Sequence, residues 1–195
     1  MKYANQKSGF SLVETLVAIT ILLIVIIGPM TISSSAAKST SFASEQVTAF
    51  FLAQEGAELM EKARNDYLLE YFDGARPSPW ADFTRTTSGG AYLQCYTTDG
   101  CNLAISNDNS GSLTNPASCS NGCVVNLDTQ TNSLRSRFTP GTSGTPTIYS
   151  RSIRLQNVSL NEVSVTSVVT WRSGFSRDSQ QVSVQTSLFN IYESN

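Results

Sequence analysis

The chain has 195 residues, 13 Lys and Arg against 15 Asp and Glu, and no histidine. The commonest general base and the commonest nitrogen metal ligand are therefore absent, and neither a Ser-His-Asp nor a Cys-His triad can be built within the chain. Charged residues are only 14% of a chain otherwise rich in Ser and Thr, which suits an exported surface better than a cytosolic enzyme, and the length fits one membrane helix plus one domain of roughly 120 residues.

At the N-terminus a short basic head, Lys2 and Lys7, leads to Gly9-Phe10 and then to an apolar run. From Phe10 to Ile27 there are 18 residues and one charge, Glu14. As a helix this run covers ~27 Å, close to the hydrocarbon thickness of a bilayer. No Ala-x-Ala site follows it, as an ordinary secretory signal would require. The one evident processing signal lies before the run, at Gly9-Phe10. A carboxylate inside a membrane segment is costly and marks a functional site by default. Only Lys38 closely follows the run, so the excess of positive charge ahead of it predicts a cytoplasmic N-terminus with the bulk of the chain outside.

These residues, Gly9, Phe10, Ser11-Leu12-Val13 and Glu14 between a basic leader and an apolar helix, resemble the N-terminus of type IV prepilins and type II secretion pseudopilins. The resemblance implies a leader over residues 1–9 that a prepilin peptidase removes after Gly9, and methylation of the new N-terminus at Phe10. It implies a transmembrane and filament-core helix over 10–30, in which Glu14 serves assembly. The implied partners are other pilin or pseudopilin subunits, the prepilin peptidase, an inner-membrane assembly platform and, before assembly, membrane lipid. No catalytic residue and no cofactor is expected. Loss of the leader leaves 11 bases against 15 acids, a side-chain charge of −4.

Gly28-Pro29 ends the cleanest apolar stretch. A proline removes a helix hydrogen bond, so the helix either stops here or continues through a weak point; the helical pattern downstream favours continuation. Val47, Phe50, Ala53, Ala57, Met60, Ala63, Tyr67 and Tyr71 follow at spacings of three and four, one stripe of an α-helix. Glu58 and Lys62 are placed to pair one turn apart. Residues 31–73 thus read as an amphipathic continuation, and with the anchor the helix runs about 60 residues, or roughly 90 Å. Within it, the segment from Ala49 to Met60, with Leu52-Ala53-Gln54-Glu55 at its centre, is similar to the corresponding segment of PilV-like minor pilins and I-type pseudopilins.

Helix signals stop near Phe72-Asp73-Gly74, and Pro77 and Pro79 follow. Residues 74–195 read as a β-rich extracytoplasmic head. Its first part is loop-rich, with short strands expected at 91–96, 123–127 and 134–138. Clearer strands are expected at 148–155, 162–172 and 181–192, with Val163, Val165, Val169 and Trp171 on one face and Val182, Val184 and Leu188 on one face of the next. Residues 173–178 form the loop between the last two. The apolar face of such a sheet needs cover, and the helical stripe supplies it. The expected fold is α+β and pilin-like, a long N-terminal helix packed on an antiparallel C-terminal sheet.

Cys95, Cys101, Cys119 and Cys123 all lie in the loop-rich middle, over residues 95–123. An even count in an exported domain predicts two disulfides. Sequential pairing is simplest, a nested pairing is open, and a four-sulfur zinc site or free thiols are the rivals. Residues 107–111, with Asp99 nearby, offer clustered oxygens of the kind calcium takes, but position 118 is Ser where an EF-hand needs Glu, and a turn is the favoured reading. No metal is expected.

Charge is uneven. Residues 45–73 hold seven acids and two bases, whereas 135–177 hold Arg135, Arg137, Arg151, Arg154, Arg172 and Arg177 with one acid, Glu162. The arginines read as a solvated strand face complementing the acidic helix. DNA is the less favoured partner, because the chain is acidic overall and lacks a dense basic run. The sequence therefore points to a non-catalytic minor pilin or pseudopilin of a pilus or secretion pseudopilus. A DNA-uptake pilin and a membrane-anchored binding module that never polymerises are the alternatives.

Overall fold

The computed structural model describes residues 9, 11–106, 110–128, 137–140, 144–174 and 178–191, and of Arg137 the backbone alone. Backbone contacts divide the chain into two compact units, Met1–Ser44 and Glu45–Asn195. Helix α1, Leu12–Phe72, begins in the first and ends in the second.

In the first unit the Ser11 carbonyl opens the helix, accepting from the Glu14 and Thr15 amides at 3.0 and 3.2 Å. The helix continues through Pro29. Hydroxyls along it fold back onto the backbone: Thr15 donates to Leu12 O at 2.9 Å, and Thr20 and Thr31 to Val17 O and Gly28 O at 2.8 Å. Such internal pairing is what a segment without water requires. Every large apolar side chain from Leu12 to Ile32 is exposed. The helix is long and apolar enough to cross a membrane.

The second unit is built on a seven-stranded antiparallel sheet. Its strands are β1 (Cys101–Asn102), β2 (Ala117–Ser118), β3 (Val124–Asp128), β4 (Arg137–Pro140), β5 (Thr145–Ser159), β6 (Glu162–Arg172) and β7 (Ser179–Phe189). The long β5 is central. It pairs along one edge with β6, which pairs in turn with β7. Its other edge is shared by β3 and β1, with β4 beyond β3 and β2 beyond β1.

Alternation decides which face is buried. Tyr149, Arg151, Ile153 and Leu155 of β5 point inward, as do Val163, Val165, Val169 and Trp171 of β6. The C-terminal half of α1 covers this face. Ala49, Leu52 and Ala53 pack with Val125, Tyr149, Val169 and Trp171. Leu59, Met60 and Ala63 pack with Ile153, Leu155, Val163 and Val165, and with an aromatic group that includes Trp80, Phe83 and Tyr92. The arrangement is the expected one, a long helix on an antiparallel sheet.

Several local expectations need correction. Residues 91–96 are not a strand. They form a 3-10 turn over Leu93–Tyr96, because Tyr92 and Cys95, three apart, are both buried, a spacing a half-buried strand cannot satisfy. Pro79 does not merely follow a stop. It begins a short helix, α2 (Pro79–Phe83), where its missing N–H costs nothing, and α2 buries Trp80 and Phe83. The buried stripe of α1 is also rotated from the expected one. Val47, Phe50 and Tyr71 are exposed, and Ala49, Leu52, Gly56 and Leu59 are buried with Ala53, Ala57, Met60 and Ala63. Small residues let the helix approach the sheet closely, which the larger side chains cannot do. Lys62 pairs with Asp66 at 2.9 Å rather than with Glu58, whose carboxylate accepts from Gln54 Nε2 at 2.9 Å.

Candidate functional site

The N-terminal residues come first. Gly9 is exposed, and a Cβ built there meets nothing within 4 Å. Among the described residues, nothing requires a glycine at this position. Phe10 lies outside the described residues. Glu14 sits in the first turn of α1, where a carboxylate suits the helix dipole. Among the described residues, none of the ion pairs includes Glu14. Apolar side chains surround it, with Leu12, Val13, Leu16 and Val17 all exposed.

In the head the main polar feature is Arg151, which has 0% exposure. Its Nε donates to Asn102 Oδ1 at 2.9 Å and its Nη2 to Leu103 O at 2.8 Å. Its Nη1 donates to Glu55 Oε2 at 2.8 Å and to Leu52 O at 3.3 Å. Burial lowers its pKa from the ordinary arginine value, and the Glu55 carboxylate partly offsets that. Gly56 makes room for this side chain: a Cβ there would strike Ser167 Oγ and lie 3.1 Å from Arg151 Cδ. Leu52, Glu55 and Gly56 of the helix thus form the receptor for a guanidinium from β5.

This corrects the reading of the arginines as a solvated face. Arg154 and Arg172 are exposed, but Arg151 is not available to solvent or to phosphate. Arg135 and Arg177 lie outside the described residues. The signal for Arg151 was present in the sequence, since it falls in the inward register of Tyr149, Ile153 and Leu155.

A surface groove of about 490 Å³ runs beside the Glu55 carboxylate, lined by Thr48, Phe51, Leu52, Ile105 and Phe138 among others. At the other end of α1, Arg76 closes a charged clamp. It donates to Glu70 at 2.7 Å and to Asp82 at 2.9 Å, with its guanidinium 3.8 Å from the centre of the Tyr67 ring. This clamp ties α2 to α1.

The sulfurs are joined as Cys95–Cys101 and Cys119–Cys123, with Cα separations of 4.5 and 5.0 Å. No cysteine is left as a thiolate for zinc. Residues 107–109 of the oxygen-rich loop lie outside the described residues. Among the described residues no group of three His, Cys, Asp or Glu is placed to hold a metal ion.

Residues 4–28 match the family model of the prokaryotic N-terminal methylation motif. No curated protein and no solved structure matches the chain. The motif supports a type IV pilin-like family, whose members are structural subunits processed by a prepilin peptidase and assembled with other pilins. With the apolar helix it fits a single-pass inner-membrane anchor.

Proposed function

We propose that the chain is a minor pilin or pseudopilin: a non-catalytic filament subunit cut after Gly9, methylated at Phe10 and anchored with its head outside the cytoplasm. The domains of this reading are a leader over 1–9, a membrane and filament-core helix over 10–30, its amphipathic continuation over 31–73 and a head over 74–195. The observation that carries it is the methylation motif at residues 4–28 running into α1, whose apolar stretch has no cover among the described residues. A helix apolar on all sides belongs in lipid or among like helices. A neighbouring subunit's helix supplies that surrounding once the filament has left the bilayer, and head-to-tail packing lets such subunits build an open filament.

Within the family the reading is closest to PilV-like minor pilins and I-type pseudopilins. The support is the segment around Glu55-Gly56, which in this fold receives Arg151 and so has a structural task beyond helix formation. The DNA-uptake alternative is weakened by the burial of Arg151.

Intact mass measurement on native material tests the reading. The expected mature chain lacks residues 1–9 and carries one added methyl group, and Gly9→Val leaves the leader attached. A mature chain beginning anywhere after Ile27 would show an ordinary secretory signal and overturn the assignment.

A further inference from the structure

The two disulfides sit in different surroundings. Cys95 and Cys101 are both 0% exposed, within the main core beside Met60, Phe83, Tyr92 and Ile153. Cys119 is half-buried on a loop whose other residues, Ser120, Asn121 and Gly122, are exposed. Beside that loop is an open recess of about 280 Å³, lined by Cys123, Ser118, Gly122, Val124 and Pro140 among others. Cys123 is itself buried, at 7% exposure. Thiol–disulfide exchange needs a thiolate to approach a sulfur, so full burial of both sulfurs in one pair and partial exposure of Cys119 in the other separate the two bonds chemically.

We propose that Cys119–Cys123 is an exchange site for an external dithiol, either a small molecule or the paired cysteines of an oxidoreductase, and that Cys95–Cys101 is inert while the head is folded. One thiolate of the dithiol attacks Cys119 Sγ, the bond between Cys119 and Cys123 breaks, and Cys123 leaves as a thiolate. The second thiolate of the dithiol then displaces Cys119 from the mixed disulfide. Two electrons pass to the protein, each released thiolate takes a proton from solvent, and the dithiol ends as a disulfide. Run backwards, the same steps close the bond during maturation.

Exchange at this site reaches Arg151. The Cys123 carbonyl accepts from the Arg151 amide at 2.9 Å, and the Cys123 amide donates to Ser150 Oγ at 3.3 Å. Cys119 Sγ lies 3.8 Å from Arg151 O, and the Cys119 amide donates to Gly100 O at 3.0 Å. The five-residue link from Cys119 to Cys123 therefore grips β5 where the Arg151 side chain reaches Glu55. Opening the link frees the start of β3 and loosens that grip, while the core around Cys95–Cys101 stays closed.

The test uses the full chain in detergent, without substitutions. Graded dithiothreitol is applied under native conditions, thiols are trapped by alkylation, and the labelled peptides are mapped by mass. Cys119 and Cys123 should label together, on the order of tenfold or more faster than Cys95 and Cys101. Simultaneous labelling of all four, or labelling of Cys95 and Cys101 first, overturns the proposal. Hydrogen exchange on the selectively reduced chain reads the second part: the Arg151 amide should exchange faster than in the oxidised chain. Unchanged protection there would show that the link does not hold Arg151.

Discussion

Arg151 Nη1 of β5 donates to Glu55 Oε2 of α1 at 2.8 Å, and the two side chains differ sharply in burial, 0% exposed for the arginine and 42% for the glutamate. The asymmetry predicts an unusual order of mutational effects. Glu55→Ala leaves a buried cation without its counter-charge and should cost about 3–5 kcal/mol. Arg151→Met leaves a carboxylate that water can reach, and chiefly one buried carbonyl, Leu103 O, without its donor, for about 1–3 kcal/mol. The double variant should resemble Arg151→Met alone. Denaturant unfolding of the three variants measures this. A larger loss for Arg151→Met than for Glu55→Ala would show that desolvation does not dominate the pair.

Gly56→Ala should destabilise the head although alanine is the better helix former by roughly 1 kcal/mol. The added Cβ strikes Ser167 Oγ and crowds Arg151 Cδ at 3.1 Å, so overpacking of about 1–3 kcal/mol outweighs the gain. Ser167 Oγ is itself buried without a hydrogen-bond partner among the described residues. Ser167→Ala alone should therefore be nearly neutral, and combined with Gly56→Ala it should recover part of the loss. Thermal unfolding of the single and double variants is the measurement, and a double variant no better than Gly56→Ala would rule out Ser167 as the obstacle.

Burial pushes the phenols of Tyr92 and Tyr96 well above the ordinary value of 10.0. The folded head keeps these protons at a pH where the unfolded chain has lost them. The stability tied to the neutral phenols is therefore complete below about pH 10 and falls as pH rises beyond it, because the unfolded state then binds fewer protons. The Tyr96 hydroxyl is buried with no partner among the described residues. Tyr96→Phe should leave neutral-pH stability unchanged or raise it by up to about 1 kcal/mol, and should flatten the alkaline limb. Unfolding midpoints from pH 7 to 11.5 test both parts; a steeper limb in the variant would reverse the sign of the argument.

Glu14→Leu should leave membrane insertion intact, since it removes a cost of about 2.5–3.5 kcal/mol on insertion scales. It should nevertheless abolish or misplace incorporation into filaments. A processed Phe10 would carry a free amine one helical turn from Glu14, and a neighbouring subunit's amine could pair with the same carboxylate in apolar surroundings, where attraction exceeds that in water. Glu14→Asp should be intermediate, because the charge remains but its reach shortens. Crosslinking to neighbouring pilins in sheared filaments reads the outcome, and undiminished incorporation of Glu14→Leu would show that Glu14 does not serve assembly.

The sequence alone determined the features set by local pattern. The largely apolar run from Phe10 to Ile27, with Glu14 its one charge, and the 3-and-4 spacing beyond it specify one helix, and the structure carries it through Pro29 to Phe72. Period-2 alternation specified β6 with the bounds Glu162–Arg172, because both ends are polar and every inward position but one is a large apolar residue. The string around Gly9-Phe10 was legible for the same reason, as part of a contiguous stretch, residues 4–28, that matches the methylation motif.

Only the tertiary structure decided which face of α1 is buried. Val47 and Phe50 share the helical period with Ala53 and Met60, and hydrophobicity ranks them as better core residues than Ala49 or Gly56. The sheet selects the small residues instead, because Arg151 and Trp171 already fill the space between the layers. The inward turn of Arg151 likewise needs a partner 96 positions away in the chain, Glu55, and carbonyls at Leu52 and Leu103 to satisfy it. A buried charge is tolerated only when distant groups converge on it, and such convergence is a property of the fold that no local window contains.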